Sequence, residues 1–182
     1  MTRLLSPVRT PARTLASPKP YLHDMTRTPK RPLGRLELVD FPEFNLTDIE
    51  AKVDTGAYTS AIHCTDIHVE NGPDGQPRLL VRLLDPDHAV NDGRPLAFRN
   101  FALREIRSSN GEAQERYVIR ATVRLYGEDL AAEFSLSDRS DMKYPVLLGR
   151  SLLQRGRFVV DVARRHLSHK AVARAQAARN GR

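Results

Sequence analysis

The 182-residue chain has no tryptophan, a single cysteine and only 6% aromatic residues. With Cys64 alone there is no intramolecular disulfide, so packing and hydrogen bonds must hold the fold. A lone thiol also fits a reducing compartment, and the expected location is the cytoplasm. No apolar run approaches the roughly 18–20 residues of a membrane-spanning helix, so no membrane association is expected. Nor is there the apolar core of a secretory signal. No G-x-x-x-x-G-K-[ST] stretch offers a phosphate-binding loop, and no H-E-x-x-H offers a zinc site. No cofactor is expected from these residues.

Acidic residues are missing from both ends. Residues 1–32 hold seven Lys/Arg against Asp24 alone, and residues 164–182 hold six against none. Residues 33–163 hold 16 Lys/Arg and 21 Asp/Glu, so the formal charge of +7 belongs to the tails and the body is mildly acidic. A nucleic-acid-binding domain concentrates positive charge on its folded surface. The tails therefore read as non-specific anion or RNA contacts. Six of the 12 prolines fall in residues 1–32 among Arg, Ser and Thr, a composition that packs no element. That stretch is expected to be a disordered extension. It also overlaps in character with organellar transit peptides, and Met25 is an alternative start. The expected division is a disordered 1–32, one domain over 33–163, and a frayed basic tail over 164–182 that has helix-forming alanines but no apolar face wide enough to pack.

Within the body the pattern is alternation of apolar and polar residues. Leu36 and Leu38 begin a first strand closed by Asp40-Phe41-Pro42, and Ile49, Ala51 and Val53 mark a second over residues 48–54. Further runs fall at 60–69, 79–84, 98–106, 115–126, 131–136 and 158–162. Turn clusters at Asn71-Gly72-Pro73-Asp74-Gly75, Ser108-Ser109-Asn110-Gly111 and Gly127-Glu128-Asp129 separate several of them. Residues 85–95 read as a polar loop. Strands at this spacing predict an all-β barrel or sandwich. The exception is one short helix over 150–155, between Gly149 and Gly156.

The stretch that carries chemistry is Asp54-Thr55-Gly56-Ala57, at the end of the second strand. Taken alone, Asp-Thr-Gly is also an ordinary turn. Downstream, Val146-Leu147-Leu148-Gly149-Arg150 is a buried strand that runs into a glycine and the short helix. In this order, with a hairpin between, the two motifs resemble those of the retropepsin-like aspartic peptidases over roughly residues 34–162. Thr59-Ser60, Ile62-His63, Asp138-Arg139-Ser140-Asp141-Met142 and Tyr144-Pro145 are similar to the bacterial group labelled "ATP-dependent zinc protease" and associated with RimK-type glutamate ligases. The resemblance implies an all-β, retropepsin-like (acid protease) closed barrel and an aspartic-type endopeptidase, with a glutamate-rich or ribosomal-protein tail as substrate.

Aspartic peptidase chemistry uses two carboxylates that share one proton, one activating water and the other acting as acid. This chain has one such motif, so catalysis by Asp54 requires a homodimer. Thr55, Gly56 and Ala57 are expected to support the loop, and Val146, Leu147, Leu148, Gly149 and Arg150 to form the wall behind it. Ser108, Ser109, Asn110 and Gly111 would tip a flap over an extended peptide. Arg104, Arg107, Arg116, Arg120 and Arg124 suit carboxylates through bidentate pairing, or are solvated strand faces beside Glu105, Glu112 and Glu115. His63 and His68 are the weak candidates for a metal, with surface or hydrogen-bonded histidines as the plainer reading. Cys64 reads as a small buried residue rather than a nucleophile beside His63. Two other classes stay open: a non-catalytic module of the same fold that docks on a ribosome or an ATP-grasp ligase, and a zinc-dependent peptidase.

Overall fold

Alternating strands do organise the chain. A computed structural model describes residues 29–85, 88, 93–107 and 112–181. The expectations for residues 1–28, Met25 included, and for the hairpin tip Ser108-Ser109-Asn110-Gly111 lie outside the described residues, as does part of the 85–95 loop. The elements are β1 (Arg31–Phe41), a 3-10 turn (Pro42–Phe44), β2 (Leu46–Val53), β3 (Ser60–Asn71), β4 (Pro77–Leu83) and β5 (Leu96–Phe98). They continue with β6 (Phe101–Arg107), β7 (Ala113–Leu125), β8 (Glu128–Ser137), β9 (Val146–Leu148), α1 (Arg150–Arg155), β10 (Phe158–Arg165) and α2 (Leu167–Asn180). The fold is mostly β.

Strand neighbours run β10-β1-β2-β9-β3-β8-β7-β6, with β4 beside β3 and β5 beside β4. β1 also meets β7, at Asp40 and Arg124. The arrangement that matters for the site is β9, which lies parallel to β2 on one edge and antiparallel to β3 on the other. Buried on both sides, it has no room for polar side chains, which is why its sequence is Val-Leu-Leu rather than an alternation. Ile49, Ala51 and Val53 of β2 are buried as their spacing predicts. They join a core that includes Phe41 and Phe134, whose rings meet edge-on at 5.2 Å.

Three expectations need correction. β1 begins at Arg31 rather than at Leu36; it buries Leu33, Leu36, Val39 and Phe41, while Leu38 lines a cleft beside Val172 of α2. A register shift between Gly34 and Leu36 re-aims the strand, and a local alternation rule does not see such a bulge. The run over 98–106 is two strands broken at Arg99-Asn100, because β5 pairs with β4 whereas β6 pairs with β7.

The third correction is the basic segment 164–182. Instead of fraying, it finishes β10 and then forms the 14-residue helix α2. His166, at a left-handed φ of 57°, turns the chain, and its N–H donates to Leu36 O at 2.8 Å. The fully buried Glu37 carboxylate then receives the first donors of the helix. Oε1 accepts from Leu167 N at 3.0 Å, and Oε2 accepts from Ser168 N at 3.1 Å and Ser168 Oγ at 2.9 Å. Oε1 also takes Gly34 N at 2.6 Å. A carboxylate at a helix N-terminus satisfies otherwise orphaned N–H groups and complements the helix dipole. Helix formation therefore rests on one acid 130 residues upstream of Leu167, not on a broad apolar face.

Glu37→Ala would leave four buried or half-buried donors unanswered. It is expected to destabilise the protein by about 2–4 kcal/mol and to melt α2 first. Urea unfolding followed by far-UV circular dichroism checks this, with Glu37→Gln, which keeps an acceptor, as the milder control.

Candidate active site

Asp54 follows the last residue of β2, and its backbone N–H donates to Leu148 O at 3.0 Å, continuing the β2–β9 pairing by one step. The chain then turns sharply. Asp54 Oδ1 accepts from Gly56 N at 2.9 Å and Ala57 N at 3.1 Å, a local turn closed by the carboxylate itself. Backbone donors therefore orient the acid, and the Thr55 side chain is exposed.

The far end of the loop is pinned by α1. Arg150 N donates to Ala57 O at 2.8 Å and Ser151 N to Tyr58 O at 3.0 Å. Gly149 sits so close beneath that a Cβ there would lie 2.7 Å from the carbonyl carbon and oxygen of Thr59. Only glycine allows this approach. Two buried serines complete the clamp: Ser60 Oγ accepts from Gly149 N at 3.0 Å, and Ser135 Oγ donates to Ser60 O at 3.2 Å. Val146 and Leu148 are fully buried and Leu147 half-buried, whereas Arg150 is exposed and contributes its backbone. Ser135 carried no signal in the sequence, since one serine in a strand face is unremarkable until its partner is known.

The histidines do not assemble. His63 is buried, and its Nδ1 accepts from Arg139 N at 2.7 Å, which leaves Nε2 as the ring's donor to Asp85 Oδ1 at 2.9 Å. Both ring nitrogens are thus engaged in tying residues 85 and 139 together. His68 is exposed, beyond a register shift between Thr65 and His68. These residues do not fit a zinc ion.

By holding its backbone, His63 fixes Arg139, a residue the sequence placed in a matching segment but gave no role. Its guanidinium is half-buried, and Nε donates to Tyr144 O at 3.5 Å. Burial and the neighbouring Arg116 hold Arg139 below its ordinary value, while Asp54 acts the other way. A cation thus stands in the electrostatic reach of the candidate catalytic acid. Two of the other arginines are spent elsewhere: Arg104 makes a bidentate pair with Glu133 at 2.7 and 3.0 Å, and Arg124 one with Asp129 at 2.6 and 3.1 Å. For these two the solvated-face reading holds. The hairpin of β6 and β7 is formed as expected, in register from Phe101–Ile119 to Arg107–Ala113.

Cys64 is buried, and burial first, with Asp138 adding to it and a backbone hydrogen bond from Ser137 opposing it, pushes the thiol from 9.0 up to about 12. The thiol is therefore inert at neutral pH. The native protein at pH 8 is expected not to react with a thiol reagent, and to react promptly in denaturant. Because the folded value is the higher one, the stability that Cys64 carries is complete below about pH 9 and is lost as pH rises toward 12. A pH series of urea midpoints for the native protein and Cys64→Ala checks the sign.

Proteins named probable alpha-L-glutamate ligase are similar to this chain. The one from Shewanella pealeana is 34% identical over 125 residues, 66% of this chain and 26% of its own length. The one from Desulfotalea psychrophila is 32% identical over 138 residues, 74% of this chain and 28% of its own. The chain spans about a quarter of the length of these curated relatives. A solved structure from Legionella pneumophila, of a protein of unknown function (DUF785), matches with a TM-score of 0.61 at 23% identity, covering 76% of this chain and 98% of that one. That likeness is one of fold. The model of the RimB-like family, described as retropepsin-like aspartic endopeptidase RimB, matches residues 33–171, and the chain belongs to this family.

Proposed function

We propose that the protein is a homodimeric aspartic endopeptidase that cuts a glutamate-rich polypeptide tail with water activated by an Asp54 pair. The observation that carries the reading is the Asp54 carboxylate, oriented by Gly56 N and Ala57 N on a loop clamped by Gly149, Ser60 and α1. One chain supplies one such acid, so the two-fold partner supplies the second, and the two share a proton. The exposed Thr55 is free to meet the partner's loop. Tyr58 and Met142, large apolar side chains 66% and 59% exposed beside the site, offer the apolar surface that a partner or substrate would cover. We read the β1–β7 contact as closing the sheet into the barrel of this family, with the β6–β7 hairpin as the flap.

The acidic substrate is supported by two features. Proteins named as glutamate ligases contain a similar segment within their own chains, and ligation of glutamate makes a polyanionic product. Arg139, near Arg116 and in no ion pair with a carboxylate among the described residues, suits a substrate carboxylate near Asp54.

Asp54→Asn is expected to lower peptidase activity by roughly 10²–10⁴-fold with the fold retained, and sedimentation should show a dimer at working concentration. An active Asp54→Asn protein would sink the mechanism. Arg139→Ala should lower kcat/KM for a glutamate-containing peptide by roughly ten- to a hundredfold and affect its glutamine counterpart far less. Equal loss on both would make Arg139 structural.

The ligase names also favour a second reading, a non-catalytic module that docks on a ribosome or ATP-grasp ligase partner. It predicts no Asp54-dependent cleavage of any oligoglutamate, and a monomer in solution.

A further inference from the structure

Four cations meet where β10 ends and α2 begins. Arg164, Arg165, Lys170 and Arg174 surround a trough of about 420 Å³ whose remaining lining is Ala163, Leu167 and Ala171. Among the described residues no acidic one lines it. Arg164 pairs with Asp161 at 3.2 Å, and Lys170 donates to Arg165 O at 3.2 Å. The N-terminus of α2 is already satisfied by Glu37, so any anion drawn to the trough answers side chains and not the helix end. Lys170 and Arg174 are one helical turn apart on the same face and both are exposed.

The position of the trough relative to the site follows from strand register. Arg165 pairs with Leu36, and Leu36 pairs with Lys52, two residues before Asp54. Three strands thus place Arg165 and Lys52 in one row, about 10 Å apart at the usual spacing of about 4.8 Å per strand. Lys52 is exposed, which extends the positive row toward the catalytic loop. An extended chain whose bond lies at Asp54 needs only a few residues to reach the trough.

The lining also distinguishes among anions. Single-stranded nucleic acid is held by basic grooves interleaved with aromatic rings on which bases stack, and among the described residues no aromatic one lines this trough. Duplex backbones are met by cations spread along the phosphate track, whereas these four cluster round one small floor. Small apolar residues with cations on the rim suit a polypeptide backbone with carboxylates on either side.

We propose that this trough is an exosite that binds an acidic run of the polypeptide cut at Asp54. The proposal deepens the peptidase reading and rests on it for the identity of the substrate, but its binding step is separate from catalysis. The helix that carries Lys170 and Arg174 continues past residue 171, where the family match ends.

The test uses the full chain carrying Asp54→Asn, so that no turnover intervenes, and a fluorescein-labelled decaglutamate read by anisotropy at two salt concentrations. Lys170→Glu with Arg174→Glu should weaken binding by about tenfold or more at low salt and flatten its salt dependence. Decaglutamine should bind neither protein. A thermal melt confirms that the double variant is folded, and Lys170→Gln with Arg174→Gln provides a gentler pair should it not be. Unchanged decaglutamate affinity in the folded variant overturns the proposal. So does tighter binding of a duplex RNA of matched charge that depends on the same two residues, which would make the trough a nucleic-acid site. If peptidase activity proved independent of Asp54 while decaglutamate binding still required Lys170 and Arg174, the mechanism would fail and the exosite would stand.

Discussion

The structure depends on a three-residue strand held on both edges. Val146-Leu147-Leu148 pairs with β2 and β3 at once, and that double pairing brings the end of β2 and the start of α1 to the same place. Asp54 N donates to Leu148 O one step beyond the last residue pair, Val53 with Leu148. Gly149 then turns under the loop with no Cβ to hold it away. Shift β9 by one residue and every inward side chain faces the wrong way, the glycine no longer lies below Thr59, and the carboxylate loses its frame. The geometry of the candidate site is therefore a consequence of register.

Much of this was legible because it is local. A carboxylate, a small hydroxyl residue and a glycine after an alternating run spell a strand that ends in a self-closing turn. A short apolar run before Gly and a helix spells a buried strand that must stop. Neither run says which edge it pairs with, and the β2–β9–β3 order comes from order of motifs and family likeness rather than from spacing. Long-range polar pairing was not legible at all. Ser60 and Ser135 are 75 residues apart, and His63 joins Asp85, 22 residues on, to Arg139, 76 residues on. Arg139 stood in plain view between Asp138 and Ser140. Its meaning depends on a histidine that the sequence could offer only as a poor metal ligand.

The charge pattern was read correctly in amount and misread in kind. Residues 164–182 are basic and alanine-rich, and a narrow apolar stripe suggested fraying. Hydrophobic matching is one way to anchor a helix, and a buried acceptor for its first N–H groups is another. Val172 over Gly127 supplies a little of the first, and Glu37 supplies the second. With the helix anchored, its cations stop being a diffuse tail and become fixed in relation to β10 and, through β1, to the end of β2.

Glu37 also sets where this domain ends as a piece of chemistry. A polypeptide stopped at residue 163 would retain all ten strands' hydrophobic positions, yet it would hold a carboxylate in the interior with Gly34 N as its sole remaining donor among those described above. Such a fragment keeps the Asp54 loop and β9 and lacks the donors of Leu167 and Ser168, whose N–H groups and hydroxyl close the cage. An insertion, fusion joint or protease cut between β10 and α2 therefore acts on the interior of the protein although it falls on its surface.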